Sequence, residues 1–229
     1  MDTAGPGRYG YRVVTMSARD GRHRRVLAIH AGSPSWSPDG ETVYYVHVRP
    51  NTGVSESLWA VPSRGGAARK LAGSVHRWYG VSPDGRWAYY DNGTERRLLR
   101  TDGSGESRVL LREAYGWLTG WAPSGLGVYY SPYGGARLRV ISTSGNVRVL
   151  GARPTGSLFL AWTRDARRIA WLRSRYGKYI DVRASRPDGS DRRILARFTS
   201  KPPFTEVDAL EWSPDGRWLV VEAHRHIGD

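Results

Sequence analysis

Residues 211–224, EWSPDGRWLVVEAH, set a tight turn, Ser213-Pro-Asp-Gly216, between a short lead and an alternating apolar run. Pro at its second position fixes φ for a type I turn, Asp at the third hydrogen-bonds local backbone, and Gly at the fourth tolerates positive φ. The turn recurs. Trp36-Ser-Pro-Asp-Gly40 repeats it in full, Ser82–Gly85 repeats its core, and weaker copies stand at Pro123 and at Thr163-Arg-Asp-Ala166. Counted at the proline position, the spacings are 45, 40, 41 and 50 residues. A period of 40 to 50 residues signals a repeat architecture.

Each turn leads into a strand rich in β-branched and aromatic residues: ETVYYVHV (41–48), RWAYY (86–90), LGVYY (126–130), RRIAWL (167–172) and RWLVVEAH (217–224). A second strand, a Gly- or Asp-Gly-containing turn and a third strand follow, as in RLLRTDGSGESRVLL (97–111), which reads as a hairpin. With the lead-in strand, each unit holds four strands, the content of a propeller blade. The last unit stops after two strands, while residues 11–28, YRVVTMSARDGRHRRVLA, supply a hairpin of the same kind at the other end of the chain. The expected fold is therefore an all-β, five-bladed β-propeller with four antiparallel strands per blade, its last blade closed by the N-terminal strands. The expected blades span about 33–73, 74–112, 113–152, 153–197, and 205–229 plus 11–29, as one domain, with residues 1–10 a flexible start. In that frame Trp36 and Trp212 fill wedges between blades, and Asp39, Asp84 and Asp215 are turn residues.

These motifs resemble the propeller repeats of TolB, the periplasmic component of the Tol-Pal system, and those of prolyl-oligopeptidase-type peptidases. The similarity runs over about residues 11–223 and is weakest at Arg164-Asp165-Ala166. It implies a propeller that binds proteins or gates a partner domain, in an extracytoplasmic setting. The sequence shows neither the additional N-terminal domain of TolB-like proteins nor a hydrolase domain.

Composition bounds the rest. A chain of 229 residues can carry one full core. Its apolar runs are too short for a membrane span or a signal-peptide core. With no cysteine, disulfides, thiol catalysis and Cys-ligated zinc are excluded. The formal charge is +14, carried by 32 Arg and 3 Lys. Nucleic acid is thus a conceivable partner, but many arginines fall on the last strand of each unit, where edge charges discourage strand addition. The favoured reading is solubility.

Propeller ligands meet the loops that enter each first strand and those that join second to third strands. The candidate binding residues on these loops are Trp78, Tyr79, Tyr115, Trp117, Tyr133, Arg137, Phe159, Tyr176, Phe204 and Asp208. Aromatics beside arginine and carboxylate suit a peptide or a sugar. His47, His224 and His226 form a candidate divalent-metal site, since imidazole suits zinc, copper or nickel; otherwise no cofactor is expected. Of acids suited to glycoside hydrolysis, Asp208, Glu206 and Glu113 are the candidates, and they do not face one another across a sugar. No nucleophile elbow, zincin helix or P-loop occurs. The expected function is a non-enzymatic, monomeric binding propeller for a protein or peptide, with a carbohydrate next. The alternatives are a sensory or gating propeller of a longer protein and, last, a glycoside hydrolase.

Overall fold

A computed structural model of the protein describes residues 11–49, 55–112, 119–123, 125–131, 137–152, 160–175, 179–199 and 206–224. The start expected to be flexible, residues 1–10, lies outside them. Among the described residues all regular structure is β, in strands paired antiparallel. The chain divides into two compact units, residues 1–114 and 115–229.

In the first unit β1 (Arg12–Thr15) pairs with β2 (Arg25–Ile29). Two four-stranded sheets follow in chain order. One is β3 (Ala31–Trp36), β4 (Thr42–Val48), β5 (Ser55–Pro62) and β6 (Arg69–Gly73); the other is β7 (Arg77–Val81), β8 (Trp87–Asp91), β9 (Arg96–Arg100) and β10 (Ser107–Leu111). The second unit holds β11 (Thr119–Ala122), β12 (Gly127–Tyr130), β13 (Arg139–Ile141) and β14 (Val147–Val149) in one sheet. Its next sheet is β15 (Leu160–Trp162), β16 (Ile169–Arg175), β17 (Tyr179–Ser185) and β18 (Arg193–Thr199), and β19 (Glu206–Trp212) pairs with β20 (Leu219–His224). These sheets have the repeat's order, with the fourth strand at an edge. Among the described residues no sheet closes on itself.

The Tyr-Tyr pairs of the repeat explain how sheets stack. Successive strand residues point to opposite faces, so both tyrosines are buried only if both faces are covered. Tyr44 and Val46 join a core with Val75, Ala88, Tyr90 and Leu99 of the following sheet. Their neighbours Val43 and Tyr45 join another with Val13 of β1, against which Leu27 and Ala28 of β2 pack. In the second unit Tyr129 and Val140 meet Ile169 and Trp171, while Leu172 and Val182 pack Leu210, Leu219 and Val221. Each such side chain contributes about 1.5–3 kcal/mol when fully buried.

Trp36 departs from the wedge role expected of it. Its side chain is 55% exposed and is not among the residues that pack with β1 and β2. Trp121, Trp162 and Trp212 at the same repeat position are half-buried.

Candidate functional site

At one end of the sheets the Asp turns build a common hydrogen-bond hub. The Ser37 hydroxyl donates to Asp39 Oδ1 at 2.5 Å and accepts from the Thr42 amide at 2.9 Å, while Asp39 also accepts from the Glu41 amide at 3.0 Å. The same three bonds recur around Ser82 with Asp84, Thr163 with Asp165, and Ser213 with Asp215. In Asp39, Asp165 and Asp215 the hydroxyl bond, then the backbone amide, holds the carboxyl below its ordinary range. In Asp84 burial pushes the other way and is outweighed by the Ser82 hydroxyl and the Arg86 amide. These carboxylates are structural, as the turn chemistry implies.

At the opposite ends the first strands bulge. Strand register slips between Trp78 and Val81 on β7, between Gly32 and Ser35 on β3, and between Val207 and Ala209 on β19, leaving Asp208 as the extra residue. Bulges re-aim side chains and recur beside binding sites. Of the ten candidate binding residues, Trp78, Tyr79 and Arg137 have described side chains. Tyr115, Trp117, Tyr133, Phe159, Tyr176 and Phe204 lie outside the described residues, and of Asp208 only the backbone is described.

Trp78 is half-buried and packs on Tyr44, ring centroids 6.4 Å apart. Tyr79 stacks on buried Tyr89 at 4.7 Å, and the Arg96 guanidinium lies 5.7 Å from its ring. Burial raises the Tyr79 phenol, partly offset by Arg96. Arg96 itself is 2% exposed and faces Asp91 across the β8–β9 pair, with 3.9 Å between the charged atoms. Asp91 also accepts from the Gly93 amide at 2.5 Å. This buried pair escaped sequence reasoning, although Asp91 and Arg96 flanking the hairpin Asn92–Glu95 is the signal of a cross-strand charge pair. Arg137 is exposed.

His47 lies 3.5 Å from the Glu56 carboxylate through Nδ1, and its ring meets that of His30 edge-on at 6.4 Å. Only the backbone of His224 is described, and His226 lies outside the described residues. Among described side chains no group of three or more His, Asp or Glu is arranged to hold a metal ion.

A second buried charge cluster sits on the β17–β18 pair. Asp181, fully buried, accepts from Arg197 Nε at 2.7 Å and Arg183 Nη2 at 2.8 Å, and Arg197 lies 4.0 Å from the Tyr179 ring centroid. The Arg197 bond leads in holding the Asp181 carboxyl low.

Cavities open at the Asp-turn ends. The larger, about 1220 Å³, lies within the second unit between the turns of its three sheets. The smaller, about 320 Å³, lies in the first unit between Pro38, Tyr44, Arg86 and Arg100.

Stacked four-stranded antiparallel sheets in repeat order define a β-propeller, and comparison with solved structures agrees. The fold is TolB-like. TolB from Acinetobacter baumannii superimposes with a TM-score of 0.64 at 17% identity, over 91% of this chain and 53% of that one. A protein designated TolB from Agrobacterium tumefaciens matches with a TM-score of 0.55 at 18% identity, over 95% and 99% of the two chains. A chain of a nidogen/laminin complex matches with a TM-score of 0.57 at 13% identity, over 94% and 81%. The chain thus spans about half the length of the Acinetobacter protein. No protein-family model and no curated protein sequence matches it.

Proposed function

We propose that this propeller is a non-enzymatic binding module. It holds a protein or peptide segment on the loops that enter the first strands and join second to third strands, with carbohydrate as the second ligand class. The carrying observation is Tyr79, fixed on a bulged first strand between Tyr89 and Arg96. An aromatic held in place loses little entropy on binding, the property of interface hot spots. A protein partner accords with the likeness to a chain of a nidogen/laminin complex. Around Trp78, Tyr79 and Arg137 we place Tyr115, Trp117, Tyr133, Phe159, Tyr176, Phe204 and Asp208 as the ligand-contacting set. His47, His224 and His226 are retained as a zinc or copper site, which calorimetric titration with either metal tests directly.

The reading includes one domain of five blades, acting as a monomer outside the cytoplasm. Its fifth blade joins β19–β20 to β1–β2, two half-blades of complementary strand number. Supporting this, Trp218, just before β20, and Val220 on it are 74% and 68% exposed, apolar surface that a neighbouring sheet would cover. No helix among the described residues is long and apolar enough to cross a membrane.

The test is affinity capture from the source cell beside a glycan array, each with wild type and with Arg137→Glu, an exposed change that spares the core. A partner retained by wild type and lost by the variant supports the reading. Nothing retained on either, together with turnover of a chromogenic glycoside, overturns it. A second reading, a sensory or gating propeller within a longer protein, is favoured by the 53% span of the Acinetobacter chain, and the full reading frame of the gene decides it.

A further inference from the structure

The larger cavity lies away from the loops assigned to binding above. Its wall is made by the β13–β14, β15–β16, β17–β18 and β19–β20 turns, and five arginines line it: Arg148, Arg164, Arg167, Arg168 and Arg186. Three aspartates share the rim, and the Oδ1 of each is engaged locally. Asp165 accepts from Thr163 and the Arg167 amide, Asp188 from the Ser190 amide and hydroxyl, and Asp215 from Ser213 and the Arg217 amide. Arg168 is held by Asp191 at 2.9 Å. Arg148 and Arg186, by contrast, are exposed, and neither guanidinium donates a hydrogen bond or forms a salt bridge with a described residue, although Arg186 bonds through its backbone and its charge acts on Asp188. The wall between the charges is apolar, from Leu126, Val140, Leu150, Trp162, Pro187 and Pro214.

We propose that this cavity binds an acidic peptide segment whose carboxylates alternate with apolar side chains. Three features select that class. A volume of about 1220 Å³ exceeds the roughly 300–1,000 Å³ of small-molecule pockets. Guanidinium groups pair with carboxylates in two-point hydrogen bonds. The apolar wall and the three rim carboxylates disfavour a nucleic acid or polyphosphate, whose dense charge meets both like charge and surface that cannot solvate it. A peptide carries fewer charges and offers side chains to the wall. Arg148 and Arg186 supply the cations free to turn towards it.

The test is fluorescence anisotropy of a fluorescein-labelled peptide of alternating glutamate and leucine, titrated with the full chain at about 0.15 M salt, where long-range attraction is screened beyond about 8 Å. Saturable binding is expected, weakened at least about tenfold by Arg148→Ala with Arg186→Ala. The exposed pair Arg25→Ala with Arg64→Ala removes the same charge from the other unit and leaves affinity unchanged. Replacing each glutamate of the peptide by glutamine abolishes binding, a readout that does not depend on how a variant folds. Absence of saturable binding, equal losses for both arginine pairs, equal binding of the glutamine peptide, or displacement by duplex DNA or tripolyphosphate ahead of unlabelled acidic peptide would each overturn the proposal. Failure of the loop-directed capture leaves every one of these outcomes unaffected.

Discussion

At Thr163 one hydroxyl donates to Asp165 at 2.6 Å and accepts from the Arg168 amide at 3.0 Å, so a single oxygen ties the turn's carboxylate to the strand that follows. This copy lacks both the proline and the glycine of the motif, yet its hub matches those at Ser37, Ser82 and Ser213. Proline and glycine only favour the backbone angles; the hydroxyl and the aspartate hold the bonds. The hydroxyl's part was hidden in the sequence because serine and threonine are common beside any turn, whereas Pro, Asp and Gly advertise their conformations. The missing glycine leaves a cost. Ala166 sits at φ +59°, where a Cβ is strained by about 1–2 kcal/mol. Ala166→Gly is therefore expected to stabilise the protein by about 0.5–1 kcal/mol despite the added entropy of the unfolded glycine. Gly40, at φ +76° with open space around its Cβ position, is the mirror case, and Gly40→Ala should lose a similar amount. Thermal unfolding followed by circular dichroism reads both; equal melting temperatures for Ala166→Gly and wild type would remove the strain argument.

Between elements the second unit has a close backbone approach where the chain leaves β14 and meets the β17–β18 turn. The Gly151 and Ala152 amides donate to the Pro187 carbonyl at 3.0 and 3.2 Å, and a Cβ on Gly151 would lie 1.5 Å from the Asp188 carbonyl oxygen. Neighbouring backbone, not a flexible side chain, occupies that space. Gly151→Ala must separate the two sheets, at a cost of about 1–3 kcal/mol or more, measured as a lower urea midpoint; a midpoint equal to wild type would mean that the sheets slide freely there. Strand identity and order were legible because the tyrosine pairs, the turn motif and the Arg-bearing fourth strands each repeat at one period. The site was legible only as composition. Trp78 and Tyr79 read as loop aromatics, but the support of Tyr79 by Arg96, itself matched to Asp91, depends on register at a hairpin end. The large cavity draws its wall from residues between Leu126 and Gly216 in several repeats, which no local window brings together.

For the molecule as a whole, the net charge of +14 stores repulsion that the aspartates relieve, and their protonation should govern acid stability. The hub carboxyls of Asp39, Asp84, Asp165 and Asp215 lie below the ordinary value of 3.8, as do those of Asp102, Asp181, Asp188 and Asp191. A carboxyl depressed in the folded state binds its proton less readily there than in the unfolded chain. The stability it confers is complete above the ordinary value and is lost as pH falls through the depressed one. Every shift has the same sign, and each protonation adds to an already positive molecule, so the losses run together. The melting temperature should hold nearly constant from about pH 7 to pH 5 and fall steeply below about pH 4. Asp181→Asn should make that acid limb shallower while lowering stability at neutral pH, since Arg183 and Arg197 lose their shared partner. Calorimetric scans of both proteins across this range test the assignment. A wild-type melting temperature that stays level down to about pH 2.5 would show that these carboxylates are no better stabilised in the folded chain than in the unfolded one.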